Sequence, residues 1–232
     1  METALLQSQP GVPALELDLI GDLACPWSFL GKRSLDRALG SLYGAPVPLL
    51  RWHGLPFEHK ARAGWREQLA ARLPRGATVE ATQRELRQAG EELGIRFAFD
   101  RLESVPDTHE AHRLVRLAAR SGHQGEVIDA LFSAYFEHGR DLSDRAVLQQ
   151  VAQDCLLEAA THVAFADPAE AREDVDADER RMRGLGIAVV PNLLINGRVL
   201  VPGPADVATY VQALDQALFP ELKVPKDKRR LH

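Results

Sequence analysis

The sequence predicts an α/β protein in which a strand–helix–strand unit and a strand–hairpin–strand–helix unit flank a long helical block. Three observations carry that expectation. Leu15, Leu17 and Leu19 alternate with Glu16 and Asp18, the period of a half-buried strand, and Phe29, Leu30, Leu35, Ala38 and Leu39 then recur at helical spacing. From about Gly64 to Gly186 the apolar residues keep a helical period. From Ile187 the period shortens again, and Asn196-Gly197 between two apolar runs is a hairpin signal. The expected organisation is a discontinuous α/β domain over 14–61 and 187–219, a helical insertion over 62–186 and a basic tail over 220–232.

Taken in order, residues 1–13 are a lead-in punctuated by Pro10, Gly11 and Pro13. The first strand ends at Gly21 and Asp22. Pro26 suits the first position of the helix that follows, where its missing N–H costs nothing. Val47–Leu55 reads as a second strand, and strand, helix and strand together make a right-handed crossover with a parallel pair. The helical block begins with amphipathic segments at Gly64–Leu73 and Val79–Leu93. Asp107 with Glu110 resembles a capping box opening a helix whose stripe is Ala111, Leu114, Val115 and Ala118. Val127, Ile128, Leu131, Phe132, Tyr135 and Phe136 form a broader stripe. Ser143 is expected to cap a helix through Val151, and Asp167-Pro168 to start another that runs to about Leu185. Val189–Ile195 is expected as a buried strand, Arg198–Val201 as its return. A last helix begins at Pro204, with Val207, Tyr210, Val211, Leu214 and Leu218 on one face.

Composition narrows the function. A net charge of −5 gives no nucleic-acid footprint, and no run of about 18 apolar residues suggests a membrane span. The N-terminus lacks a basic region followed by a long apolar one, so a cytoplasmic location is expected. Two cysteines do not make a disulfide framework.

One stretch carries chemistry: Cys25-Pro26-Trp27-Ser28 at the strand-to-helix junction. With Pro26 at the first helical position, Cys25 is the N-cap, and its sulfur faces the N–H groups of Trp27 and Ser28 at the positive end of the helix dipole. That placement favours thiolate over thiol, so an activated Cys25 is expected. Cys155, in Val151–Ala160, reads as structural filler rather than a resolving partner. Asp22 reads as the end of the strand, with proton acceptor as the alternative. Lys32 and Arg33 read as a solvated face. His109 and His112 could share a helical face, yet no further ligands surround them, and no metal site is expected.

Cys25-Pro26-Trp27-Ser28-Phe29-Leu30-Gly31-Lys32-Arg33 resembles the active-site segment of thioredoxin-fold oxidoreductases, most closely the FrnE-like branch of the DsbA family. That branch usually has cysteine where this chain has Ser28. Arg51-Trp52 with Pro56-Phe57-Glu58, Val105–Arg113 and Gly186–Gly203 extend the resemblance over about Leu15 to Leu218. It implies a thioredoxin-like fold with a helical insertion, catalysis by Cys25 with Ser28 beside it, and a substrate groove formed by Pro26, Trp27, Val190, Pro191 and His112. It further implies a cis bond at Val190–Pro191 opposite the cysteine. The implied activity is monothiol disulfide exchange or isomerisation on a thiol or disulfide substrate. No tightly bound cofactor is implied; glutathione or another small thiol would be co-substrate, and a homodimer is left open. A second resemblance, to kappa-class glutathione transferases and 2-hydroxychromene-2-carboxylate isomerases, implies that Ser28 or the Cys25 position activates glutathione. A redox-inert binding module is the third reading.

Overall fold

The computed structural model describes residues 15–42, 48–56 and 64–219. The lead-in, Val47, Phe57, Glu58 and the basic tail lie outside the described residues. β1 (Glu16–Gly21) is an inner strand. It pairs in parallel with β2 (Leu49–Gly54) and antiparallel with β3 (Asn192–Ile195), which pairs antiparallel with β4 (Val199–Pro202). The strand order is therefore β2-β1-β3-β4. Asn196 and Gly197 both have positive φ, as a two-residue turn between β3 and β4 requires.

α1 (Pro26–Gly40) is the crossover from β1 to β2, and α9 (Val207–Leu218) packs against it. Between β2 and β3 the described chain is helical: α2 (Trp65–Arg72), α3 (Val79–Glu92), α4 (His109–Ala119), α5 (Gln124–Phe132), α6 (Arg145–Asp154), α7 (Ala159–Ala166) and α8 (Arg172–Gly184). The sheet shares one apolar core with α1–α7 and α9, while Met182 of α8 packs in a small separate cluster with Ile20 and Leu55. Phe29 on α1 stacks on Phe132 at 4.8 Å and meets Phe97 edge-on at 5.8 Å. Such pairs add to the free energy of burying the rings themselves.

Local hydrogen bonding moves several expected boundaries. α4 starts at His109, because Asp107 accepts from the His109 N–H; Glu110 turns to Arg113 and Arg172 instead of closing a capping box. Asp144, not Ser143, caps α6 by accepting from the Ala146 N–H, while the Ser143 hydroxyl donates to Asp141. α7 was not expected; Leu156, at φ 53°, separates it from α6. Asp167 accepts from the Ala169 N–H in a separate turn, and Ala171 at φ 58° delays α8 to Arg172. Asp206 caps α9 through the Thr209 N–H, leaving Pro204 outside it. β3 begins only at Asn192, and Val189 is exposed.

Candidate active site

The chain turns from β1 into α1 through Asp22, Leu23 and Ala24. The Cys25 N–H donates to the Asp22 carbonyl at 3.0 Å, and the Cys25 carbonyl accepts from the Phe29 N–H at 3.2 Å as the helix begins. Cys25 is extended, at φ −99° and ψ 115°, with Pro26 directly after it, which makes it the expected N-cap. Ser28 is buried; its hydroxyl oxygen accepts from the Asp22 N–H at 3.3 Å. Trp27 is half-buried.

The expected thiolate is not what the geometry favours. Burial pushes the Cys25 thiol up to about 12, and the Asp22 carboxylate adds to the rise. The Ser28 hydroxyl and the Ser28 and Trp27 N–H groups act in the opposite direction, but the sulfur receives no cap hydrogen bond of normal geometry. Desolvation of a fully buried sulfur outweighs the helix terminus. Cys25 therefore rests as a thiol.

The Val190–Pro191 bond is cis. Pro191 lies against the second turn of α1: a Cβ on Gly31 would stand 3.3 Å from its ring and 3.3 Å from the Tyr210 hydroxyl. Val190 is half-buried beside Ile20, Leu55 and Met182. Cys25, Ser28 and Pro191 are thus all organised on the first two turns of α1.

Behind the motif lies a buried polar chain. Asp22 Oδ1 accepts from the Thr108 hydroxyl at 2.8 Å and from the Ala24 N–H at 3.2 Å. His112 Nε2 is 3.6 Å from the same oxygen, and His112 Nδ1 accepts from the Trp52 indole N–H at 3.1 Å. Since an indole N–H only donates, the neutral ring carries its proton on Nε2, facing Asp22. Gly21 and Gly54, directly opposite each other in β1 and β2, make room for this stack. A Cβ on Gly21 would lie 2.3 Å from the Trp52 ring, and one on Gly54 2.7 Å from the His112 ring.

His112, expected to line the groove, is buried, with its ring between the Trp52 indole and Asp22. Arg113 is fully buried and engaged, with Glu110 and with the carbonyls of Asp167 and Glu170. Lys32 is no part of a solvated face either: it is buried on α1 and bound to Asp36 at 2.7 Å and Asp129 at 3.2 Å. Asp22, expected to end the strand with proton acceptor as the alternative, sits at the centre of the buried polar chain, joined by Thr108 and by Trp52 through His112, both expected only as part of the family resemblance. The two facing glycines were the signal that a bulky buried pair had to fit there. Cys155 is half-buried at the end of α6, where burial and then Glu126, Asp154 and Asp129 push its thiol above the ordinary value, and both cysteines are free. Among the described residues no group of three or more His, Cys, Asp or Glu is placed to hold a metal.

The model of the DSBA-like thioredoxin domain family matches residues 16–215. The chain belongs to that family. No curated protein matches it. Among solved structures, this DSBA-like chain is similar to the probable DsbA oxidoreductase of Streptomyces coelicolor, at 26% identity and a TM-score of 0.74, over 91% of this chain and 93% of that one. It is also similar to the cytosolic disulfide reductase DsbM of Pseudomonas aeruginosa, solved with GSH, at 25% identity and TM-score 0.58, covering 89% and 97%. A 2-hydroxychromene-2-carboxylate isomerase shares the fold at 14% identity and TM-score 0.67, covering 88% and 97%. No helix among the described residues is long and apolar enough to cross a membrane.

Proposed function

We propose that this chain is a monothiol disulfide reductase or isomerase of the FrnE-like branch, working through Cys25 with a small thiol such as glutathione, in the cytoplasm. The observation that carries the reading is the pairing of Cys25 at the start of α1 with Ser28, a hydroxyl, at the position that would hold a resolving thiol. The Cys25 thiol gives up its proton as its sulfur attacks one sulfur of a substrate disulfide; an S–S bond forms to Cys25, the substrate S–S bond breaks, and the departing substrate sulfur takes up the proton as a thiol. Ser28 cannot then attack, so an external thiolate cleaves the mixed disulfide and releases Cys25. A sulfur whose thiolate is destabilised by burial is a poor leaving group. That suits a site that holds a substrate sulfur until a second thiol arrives, and argues against a strong oxidant.

Burial of the sulfur also favours a second reading, a glutathione-dependent isomerase in which Ser28 orients bound glutathione. Two variants separate them. Cys25→Ser abolishes exchange under the first reading and keeps isomerase or transferase turnover under the second. Ser28→Cys, which restores two thiols three residues apart, gains glutathione-independent reductase activity only under the first. Retained turnover in Cys25→Ser would overturn the monothiol mechanism.

A further inference from the structure

α8 is poorly equipped to pack by apolar contact: its buried residues are Val175 and Met182. Charge holds it instead. Asp174 faces Arg116 of α4 and Arg120 at its C-terminal end at 3.8 and 3.9 Å, and Asp176 lies 2.7 Å from His109 Nε2. Asp178 places both carboxylate oxygens 2.8 Å from Nδ1 of His53 on β2. The other ring nitrogen of His53, Nε2, lies 2.9 Å from Asp18 Oδ1 on β1. Ionised carboxylates only accept, so a ring bonded to one through each nitrogen carries both protons and is an imidazolium. The ring is buried, and Arg51 binds the far side of the cluster through Asp18 and Glu16. Arg116, Asp174 and His112 complete the charged or titratable groups on the α4 and α8 side, around a cavity of about 10 Å³ that Asp178 also lines.

The far end of α8 packs against the segment that leads into Pro191. Met182 packs on Ile20 and Leu55, with Ile187, Val190 and Leu194 against the same cluster. The Arg183 guanidinium donates to the Pro56 carbonyl at 3.4 Å. Six residues after α8 the chain passes Val190 and enters Pro191. Whatever holds α8 on the sheet therefore holds Val190 in place.

We infer that α8 is a proton-controlled latch on the wall of the thiol site: charged His53 clamps it to β1 and β2, and loss of that proton frees α8 with residues 185–190 and opens a path to the buried Cys25 sulfur. This regulates the site assigned above and rests on Cys25 being the nucleophile. A neutral ring donates through one nitrogen only. The second carboxylate then faces a lone pair, and the clamp loses a charge-assisted bond on one side. Asp174 and Asp176 still tie α8 to Arg116, Arg120 and His109, and its apolar burial rests on Val175 and Met182.

The test is hydrogen–deuterium exchange of the full chain, from about pH 6 to about pH 9, corrected for intrinsic exchange, alongside an NMR titration of the His53 ring. Protection over 174–184 and 187–190 is expected to fall about tenfold as the ring loses its proton, with α1 and α4 unchanged. Asp178→Asn, whose neutral amide supports the imidazolium less, is expected to move that transition to lower pH. A merely structural contact would lower protection without moving the midpoint. In His53→Gln, protection should be low at every pH and Cys25 should form a mixed disulfide with oxidised glutathione about tenfold faster. Constant protection through the His53 titration, or an unmoved midpoint in Asp178→Asn, overturns the latch. Equal mixed-disulfide rates in His53→Gln and the native chain overturn its control of the site while leaving the nucleophile intact. No mixed disulfide in either protein would instead refute the nucleophile, and the exchange data would still decide the latch.

Discussion

Gly54→Ala tests whether the buried chain behind Cys25 is fixed as tightly as its geometry says. The added Cβ would stand 2.7 Å from Cγ and Nδ1 of His112 and 3.0 Å from Cδ2, in a ring that already lies 6.1 Å from the Trp52 ring centroid. Overpacking of this kind costs about 1–3 kcal/mol. Displacing the imidazole also strips the Trp52 indole N–H of its acceptor, a further loss of about 1–3 kcal/mol for a buried donor. The sum, about 2–6 kcal/mol, corresponds to a urea midpoint lowered by roughly 1–3 M for a slope of about 2 kcal/mol/M. Gly125→Ala is the control, because its Cβ would meet nothing within 4 Å inside α5 and should stabilise by about 0.5–1 kcal/mol. The decisive comparison is a double-mutant cycle. In a His112→Ala background the Gly54→Ala cost should largely vanish. A Gly54→Ala protein within about 0.5 kcal/mol of the native chain, or an undiminished cost in the His112→Ala background, would refute the slot.

Three further outcomes follow from the charges. Alkylation of Cys25 should climb steadily with pH through neutrality with no plateau below about pH 10, since burial holds the thiol near 12; Asp22→Asn should speed it and Ser28→Ala slow it, read by mass spectrometry. Burial draws His53 down, but its bonds to Asp178 and Asp18 outweigh that and raise it above the ordinary histidine value. Its contribution to stability is therefore complete below about pH 6.5 and lost as pH rises through the raised folded value, so urea midpoints of the native chain should fall over that window and those of His53→Phe should not. Lys32→Met leaves Asp36 and Asp129 beside each other without their cation and should cost about 3 kcal/mol in urea unfolding, recovered in part by Asp129→Asn.

The strands, the parallel first pair and the hairpin were legible because periodicity changes are strong where they occur: Leu15–Leu19 alternates, Asn196-Gly197 turns, and Cys25-Pro26 opens a helix; the antiparallel pairing of β1 with β3 left no local signal. Helix starts were less legible. Asp107, Asp144, Asp167 and Asp206 each sit where several polar residues compete for the first free N–H groups, and the winner depends on the loop before it. Cys25, Ser28 and Pro191 were visible as a motif, but the ionisation of Cys25 was not. A helix terminus can be read from one segment, whereas desolvation is set by everything packed around the sulfur. Asp22, His112, Trp52 and Thr108 come from four separate stretches, and Lys32 meets Asp129 only through the packing of α1 on α5. Local spacing holds no record of such meetings.

The most direct test of the thiol mechanism is the intact mass of the native chain and of Cys25→Ser after exposure to oxidised glutathione, followed by reduced glutathione. The native chain should gain one glutathione on Cys25, located by peptide mapping, and lose it again to the reduced thiol, while Cys25→Ser should gain none there. A native chain that never carries glutathione on Cys25, or that carries it only on Cys155, would contradict the account.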